Sequence, residues 1–224
     1  MPELLLVIGN WNYSSWSLRP WLALRMSGLP FRTERVPLYQ PDSKARLLAH
    51  SGAGLVPVLK HGDLTVWESL AICEYVAELA PQAGLWPDDR ALRAHARSVA
   101  TEMHGGFPAV RGALPMNIRG HAARTPALSE DARAQIARIA SLWSDCRKHA
   151  GASGPFLFGR FSIADAMYAP VVTRFRTYGV ALPPDAQAYA DAVWRLDALR
   201  EWAAQAERET ERMPDTDRLL DAGP

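Results

Sequence analysis

The sequence predicts an α/β domain followed by an all-α domain. Short apolar or alternating runs typical of strands all lie before residue 68, whereas the chain beyond Pro81 is rich in Ala, Arg and Leu and has almost no strand signal. Residues 81–87, Pro-Gln-Ala-Gly-Leu-Trp-Pro, have the composition of a linker. The 224 residues also exceed the usual single-domain length of about 100 to 150. We therefore expect domains at 1–80 and 88–224.

The first domain begins with a continuous apolar run at residues 4–8, which predicts a strand. A helix is predicted over residues 20–26, with Pro20 in its first turn and Gly28 as its C-cap. Residues 31–36 alternate as a half-buried strand does. The first unit is therefore βαβ.

The rest of the first domain continues with a weaker helical stretch at residues 43–50. Two short strands are predicted at 57–60 and 64–67, and His61-Gly62-Asp63 between them favours a hairpin. A largely apolar helix follows over 68–79. The predicted order is β-α-β-α-β-β-α.

The second domain is expected to contain helices alone. Ser162-Ile163-Ala164-Asp165 has the pattern of a capping box, a strong helix start. The tail from Met213 is polar and is expected to fray. The predicted helices span 89–117 with a break or bend near Gly105-Gly106 and Pro108, 129–149, 162–178, 186–195 and 197–208.

Composition excludes several function classes. Twenty-five basic and 24 acidic side chains give a net charge of +1, which argues against a nucleic-acid partner. The early apolar run lacks a basic flank and is too short for a signal peptide or a membrane span, so we expect a cytoplasmic protein without a membrane partner. Cys73 and Cys146 lie in apolar helical sequence without metal-ligand spacing, so we expect buried thiols and no metal.

The segment Asn10-Trp11-Asn12-Tyr13-Ser14-Ser15-Trp16-Ser17 follows the first strand, at the sheet edge that ligands favour. Ser14, Ser15 and Ser17 are good N-cap residues, so they could simply cap the helix. A helix N-terminus and a hydroxyl donor also stabilise an anion such as a thiolate. Lowering a thiol pKa of about 8.5 by two units needs about 2.7 kcal/mol. A hydrolase serine is disfavoured because no G-x-S-x-G surrounds it.

Two further pairs of residues carry both a structural and a functional interpretation. Pro57 begins a strand and could follow a cis peptide bond, in which case Val56 offers its N–H and C=O to an extended peptide. The structural interpretation is that the proline simply marks the start of an edge strand. Glu68 and Ser69 open the third helix and could cap it. They also suit binding of an α-amino acid: the Glu68 carboxylate would pair with the ligand's ammonium group, and the Ser69 hydroxyl would donate to the ligand's carboxylate.

Together, Ser14-Ser15-Trp16-Ser17, Val56-Pro57 and Glu68-Ser69 resemble the glutathione S-transferase family, over the whole chain. The resemblance implies a thioredoxin-like N-terminal domain, an all-α C-terminal domain and a homodimer. It also implies glutathione as cosubstrate, with Val56 pairing its cysteinyl backbone and Glu68 and Ser69 holding its γ-glutamyl end. Ser14, or alternatively Ser15, would activate the thiol for transfer to a small electrophile.

Ser14-Ser15-x-Ser17 followed by Arg19 is most similar to the zeta class, which includes maleylacetoacetate isomerases. Trp16 replaces the cysteine of the zeta motif, and the segment from Arg174 to Tyr178 also departs from it, so conjugation is the preferred activity. A glutathione-dependent cis-trans isomerase and a non-catalytic glutathione-binding module are the alternatives.

The second substrate is expected between the domains, near Arg174 and the helix at 102–116. The candidate pocket residues are Trp16, His104, Phe107 and Arg111. Each of the last three also has an ordinary interpretation, because phenylalanine usually packs in cores and His and Arg are often surface residues.

Overall fold

The computed structural model describes residues 3–149, 151 and 154–221. Its sheet has the order β2-β1-β3-β4, formed by Leu4–Ile8 (β1), Phe31–Arg35 (β2), Val58–His61 (β3) and Leu64–Trp67 (β4). β1 pairs in parallel with β2 and antiparallel with β3, and β3 forms an antiparallel pair with β4. The mixed sheet and the β-α-β-α-β-β-α order confirm the prediction for the first half of the chain.

The helices of the first half are α1 to α3, and those after residue 89 are α4 to α10. A single turn of 3-10 helix at Pro81–Ala83 separates the two groups. The helix bounds are Ser15–Ser27 (α1), Ser43–His50 (α2), Ser69–Leu79 (α3), Arg90–Gly105 (α4), Pro108–Ala113 (α5), Glu130–His149 (α6), Ile163–Thr177 (α7), Pro184–Trp194 (α8), Asp197–Arg208 (α9) and Pro214–Asp221 (α10).

Both faces of the sheet are covered, because successive side chains of a strand point to opposite faces and β1 is apolar on both. Leu6 and Ile8 of β1 belong to one large apolar cluster that continues into the helical half of the chain. Val7 points to the opposite face, where it packs with Val58 and Leu47 of α2. Helix α1 joins the two halves, because it packs on both α3 and α7.

Helix α1 begins at Ser15, five residues before the predicted start, so Pro20 lies inside the helix rather than in its first turn. Proline removes one helical hydrogen bond. Burial of Leu18, Trp21 and Leu22 on either side of it favours the continuous helix. Gly28 does cap the helix, with a left-handed φ of 75°.

The predicted helix at 89–117 is two helices, α4 and α5. The chain breaks where Gly106 donates to the Glu102 carbonyl and Phe107 takes a left-handed φ of 58°. A Cβ at Gly106 would lie 2.4 Å from that carbonyl oxygen, so a side chain there would clash with the last turn of α4. The chain therefore turns sharply between α4 and α5.

Helix α7 is buried over nearly its whole length, and its predicted capping box is confirmed. The Asp165 carboxylate accepts from Ser162 N–H at 2.8 Å and from Leu157 N–H at 3.0 Å. The expectation that the tail frays is wrong, because α10 forms from Pro214, and Asp217 accepts hydrogen bonds from Tyr13 and Asn117.

Cys73 and Cys146 are free and buried, as predicted. Burial raises the pKa of both thiols, that of Cys146 to about 12, so they stay protonated. No helix in the described part of the chain is long and apolar enough to span a membrane. The described residues also contain no group of three or more His, Cys, Asp or Glu side chains suited to a metal.

Candidate functional site

The loop after β1 brings three serine hydroxyls to the start of α1. Ser14 occupies the N-cap position, yet its side chain makes no capping hydrogen bond. Its Oγ lies 2.7 Å from Ser17 Oγ, which accepts a hydrogen bond from Gly9 N–H at 3.1 Å. The capping interpretation therefore fails for the Ser14 side chain.

The Ser14 and Ser15 hydroxyls can each donate a proton to a ligand. If Ser17 donates its proton to Ser14 Oγ, the Ser14 proton is free to turn toward an anion. Ser15 Oγ accepts from Arg174 Nη2 at 3.2 Å, which leaves its own proton free as well. Both serines are buried and line the same cavity.

Residues from the second half of the chain hold the serine loop in place. The Glu209 carboxylate accepts from Trp11 N–H at 2.9 Å and from Asn12 N–H at 3.0 Å. The Asn12 side chain accepts from Arg119 N–H at 3.0 Å and donates to Asn117 Oδ1 at 2.8 Å. Sequence reasoning missed Glu209, Asn117 and Arg119, since no local pattern links them to the loop.

The other predicted ligand residues line a cavity of about 250 Å³. Val56 is half-buried there, and its peptide bond to Pro57 is cis. The antiparallel ladder begins at Val58, so the Val56 N–H and C=O lie beyond its paired residues. The cavity is lined by Trp16, Ala53, Leu55, Val56, Pro57, Trp67, Glu68 and Ser69.

Glu68 and Ser69 both line this cavity, and neither side chain caps α3. Glu68 has a φ of 68°, which is uncommon for a residue other than glycine, and no side-chain capping bond. Ser69 Oγ is buried and has no hydrogen-bond partner among the described residues. Strained backbone and an unpaired buried hydroxyl are typical of ligand sites.

A second cavity of about 600 Å³ lies beside the first. Trp16, Val56 and Leu55 line both cavities, so a ligand can extend from one to the other. The lining residues of the second are Tyr13, Ser14, Ser15, Trp16, Leu38, Tyr39, Gln40, Ser43, Lys44, Leu47, Leu55, Val56, Pro115, Met116, Arg174, Met213 and Thr216.

The Trp16 ring is surrounded by cationic and titratable groups. The guanidinium carbons of Arg19 and Arg111 lie 4.2 Å and 5.3 Å from its ring centroid. The His104 ring packs edge-on against it, 5.3 Å between centroids. His104 Nε2 lies 3.6 Å from a Glu68 carboxylate oxygen. Burial and then the charge on Arg19 lower the pKa of His104, which favours its neutral form.

The predicted pocket residues therefore occupy different places. Trp16 lines both cavities, whereas Arg111 and His104 contact its ring. Phe107 is buried against Tyr168 and is not among the described lining residues of either cavity.

Two family models match this chain. Residues 13–79 match the N-terminal domain model of glutathione S-transferases, and residues 123–205 match the C-terminal domain model. These two matches together span more than half of the chain and follow the order of the family's domains. The chain belongs to the glutathione S-transferase family.

Curated relatives of this transferase-family chain include "Glutathione S-transferase 1" of Dianthus caryophyllus, 35% identical over 41% of this chain and 43% of that protein. The "Probable maleylacetoacetate isomerase" of Caenorhabditis elegans is 33% identical over 43% of this chain and 45% of that protein. "Protein IN2-1" of Zea mays is 28% identical over 80% of this chain and 72% of that protein. The chain thus matches less than half the length of the first two relatives.

Solved structures share the transferase fold throughout. A glutathione transferase homolog from Burkholderia, determined with bound glutathione, has a TM-score of 0.69 and 24% identity and covers 93% of this chain and 100% of that one. A Tau class glutathione S-transferase from mango, Mangifera indica, has a TM-score of 0.69 and 21% identity and covers 98% of this chain and 96% of that one. These likenesses establish a thioredoxin-like domain followed by a helical domain, as predicted.

Proposed function

We propose that this family member is a glutathione transferase that conjugates the glutathione thiolate to small electrophiles. In this proposal residues 1–80 form the glutathione-binding domain, and residues 88–224 form the substrate-binding domain that completes the electrophile's pocket between the two. One observation carries it: the cavity lined by Glu68 and Ser69 and the cavity lined by Ser14 and Ser15 share Trp16 and Val56. A short peptide can therefore reach from one set of polar groups to the other.

The smaller cavity supports binding of the γ-glutamyl end of glutathione. Ser69 Oγ is an unpaired donor at the N-terminus of α3, which suits a carboxylate. The exposed Glu68 carboxylate suits the neighbouring ammonium. Val56, next along the cavity, would exchange backbone hydrogen bonds with the cysteinyl residue as an added strand does.

The larger cavity supports ionisation of the thiol. Ser14 would donate its hydroxyl proton to the sulfur, with Ser15 as the alternative donor, and the first-turn N–H groups of α1 add positive potential. The charge on Arg174, in contact with Ser15, favours an anion in the same place. The thiol proton leaves to solvent, and the thiolate is the species that reacts.

With an aromatic halide as the electrophile, transfer proceeds by addition and then elimination. The sulfur lone pair forms a bond to the ring carbon that carries the halogen, and the ring stores the added electron pair. The carbon–halogen bond then breaks, and the halide leaves with its electron pair. The protein's contribution is to hold a thiolate, already desolvated by the cavity, beside the electrophile.

Ser14→Ala tests the assignment. Loss of one hydrogen bond to a charged sulfur costs about 1.5 to 3 kcal/mol, so the pKa of the bound thiol should rise by about one to two units. Turnover of an aromatic halide should fall much more than glutathione affinity. Ser15→Ala is the matched comparison. Unchanged turnover in Ser14→Ala would contradict the role of Ser14, and a larger loss in Ser15→Ala would assign it to Ser15.

A glutathione-dependent cis-trans isomerase is the second candidate, favoured by the names of the relatives from C. elegans and Rhizobium meliloti, "Probable maleylacetoacetate isomerase" and "Maleylacetoacetate isomerase". It would use the same thiolate, which adds to a conjugated double bond and then leaves. Parallel assays with a maleylacetone-type substrate and an aromatic halide distinguish the two activities.

The family resemblance also supports a cytoplasmic homodimer that binds glutathione without a metal. Sedimentation of the purified protein tests the dimer, and metal analysis tests the absence of a metal. Failure to bind immobilised glutathione would favour an interaction module over an enzyme.

A further inference from the structure

Arg19 and Arg111 lie against the Trp16 ring, and Arg174 lines the larger cavity together with Trp16. Arg19 and Arg174 are buried, with 1% and 5% of their surface exposed, and Arg111 is half-buried. Within residues 3–149, 151 and 154–221, none of the three has a carboxylate oxygen within 4 Å. The site therefore contains an excess of positive charge.

Several donors of these arginines also have no acceptor. Nε and Nη1 of Arg19 and Nε of Arg174 are buried and unpaired in the described part of the chain. Burial, then the charges on Arg174 and Arg111, lower the pKa of Arg19 to about 9, and burial, then the charge on Arg111, lowers that of Arg174 to about 10. Both remain cations at pH 7. Unpaired buried charge is costly unless a ligand neutralises it.

Arg174 is the member of the group that borders the larger cavity. Its Nη1 donates to the Pro170 carbonyl at 3.1 Å and its Nη2 to Ser15 Oγ at 3.2 Å. These bonds and its place on the buried helix α7 fix the guanidinium beside Ser15. Arg111 and Arg19 lie against the ring of Trp16, which lines the same cavity as Arg174, and they add to the positive potential.

We propose that the second substrate is an anionic electrophile, whose carboxylate binds beside Arg174 in the larger cavity. The inference rests on the proposed function, because it takes this cavity to be the electrophile's. A carboxylate accepts charge-assisted hydrogen bonds from a guanidinium. Its binding would neutralise the excess charge and leave the reacting carbon near the serine hydroxyls.

The test uses a matched pair of unreactive ligands, 3-nitrobenzoate and 3-nitrobenzamide, which differ in charge but little in shape. Each is titrated calorimetrically into the full chain saturated with S-methylglutathione. We expect the benzoate to bind at least about tenfold more tightly than the amide, since charge-assisted hydrogen bonds are about twice as strong as neutral ones. Arg174→Gln should remove this preference.

Arg176→Gln is the matched control, because Arg176 lies on the same helix but is exposed and stacks on Trp194 at 4.5 Å. It should keep the preference. If Arg174→Gln does not fold, Arg111→Gln replaces it, because Arg111 is only half-buried. That variant should weaken the benzoate preference severalfold while binding of the amide stays the same.

Equal affinity of the unmodified protein for both ligands would overturn the proposal. A benzoate preference that survives in Arg174→Gln and Arg111→Gln would also overturn it. So would a loss of glutathione affinity in Arg174→Gln with the preference intact, because the arginine would then hold a glutathione carboxylate. Conjugation assays report separately on the proposed function: a benzoate preference without conjugation refutes the transferase activity and keeps the anion site.

Discussion

The Oγ atoms of Ser14 and Ser17 lie 2.7 Å apart in the first turn of α1. Ser17 also accepts the Gly9 N–H, so one serine contacts the end of β1 while the other borders the larger cavity. The hydrogen bond between them makes Ser17 a positioning residue for the proposed thiol donor.

Ser17→Ala should therefore lower transferase turnover without contact to the ligand. Ser14 loses the partner that directs its proton, and Gly9 N–H is left buried without an acceptor. We expect turnover to fall about tenfold and the free energy of unfolding to fall by about 1 to 3 kcal/mol. Steady-state kinetics and urea unfolding measure the two effects.

Ser27→Ala is the control for Ser17→Ala, because Ser27 is a buried serine at the other end of α1 whose hydroxyl donates to the Leu24 carbonyl. It should change turnover little. Equal losses of turnover in both variants would mean that α1 as a whole, and not the serine pair, sets the activity.

Glu209→Gln should loosen the serine loop. The carboxylate serves Trp11 N–H and Asn12 N–H together, and the amide keeps only one acceptor oxygen. One buried donor is left unpaired, so we expect a loss of about 1 to 3 kcal/mol in the free energy of unfolding. Turnover should fall as well, because the loop carries Ser14.

Glu211→Gln is the comparison for Glu209→Gln, since both carboxylates pair with Arg35 but Glu211 accepts no hydrogen bond from the loop. Its effect on turnover should be small. If the two variants lose the same turnover, the ion pairs with Arg35 are responsible and the loop contacts are not.

Ser69→Ala should weaken glutathione binding and leave the fold unharmed. Ser69 Oγ has no partner in the described structure, so removing it breaks no internal hydrogen bond. Loss of one hydrogen bond to a carboxylate should raise the dissociation constant for glutathione about tenfold or more. Calorimetric titration measures the affinity and a melting curve the stability; a stability loss with unchanged affinity would contradict this role.

His104 should make stability depend on pH on the acidic side. Burial lowers its folded pKa below the usual 6.5, so as pH falls below 6.5 the unfolded chain binds the proton more readily than the folded one. The folded state therefore loses stability as pH falls from about 6.5 toward the folded pKa. His104→Gln should reduce this loss between about pH 7.5 and pH 5.5, measured by urea unfolding.

His121→Gln provides the reference for His104→Gln, because His121 is exposed. Its pH profile should parallel that of the unmodified protein. Parallel profiles for His104→Gln as well would show that His104 does not contribute to the acid sensitivity.

The sequence predicted the sheet, most helices and the position of the serine segment because those signals are local. The apolar run of β1, the left-handed Gly28 and the Ser162–Asp165 capping box each depend on a few neighbouring residues. The start of α1 could not be predicted, because packing around Pro20 outweighs the local preference of proline for a first turn. The formation of α10 could not be predicted either, because it depends on the contacts of Asp217 with Tyr13 and Asn117.

The sequence by itself determined which residues offer chemistry: a serine pair at a helix start, Val56 before a strand, and an acid and a hydroxyl at the next helix. Only the tertiary structure decided how they are supported. Glu209 meets Trp11 across 198 positions of the chain, and Arg174 meets Ser15 across 159. Periodicity and capping act over a few residues, whereas the partner of a buried polar group depends on how distant helices pack.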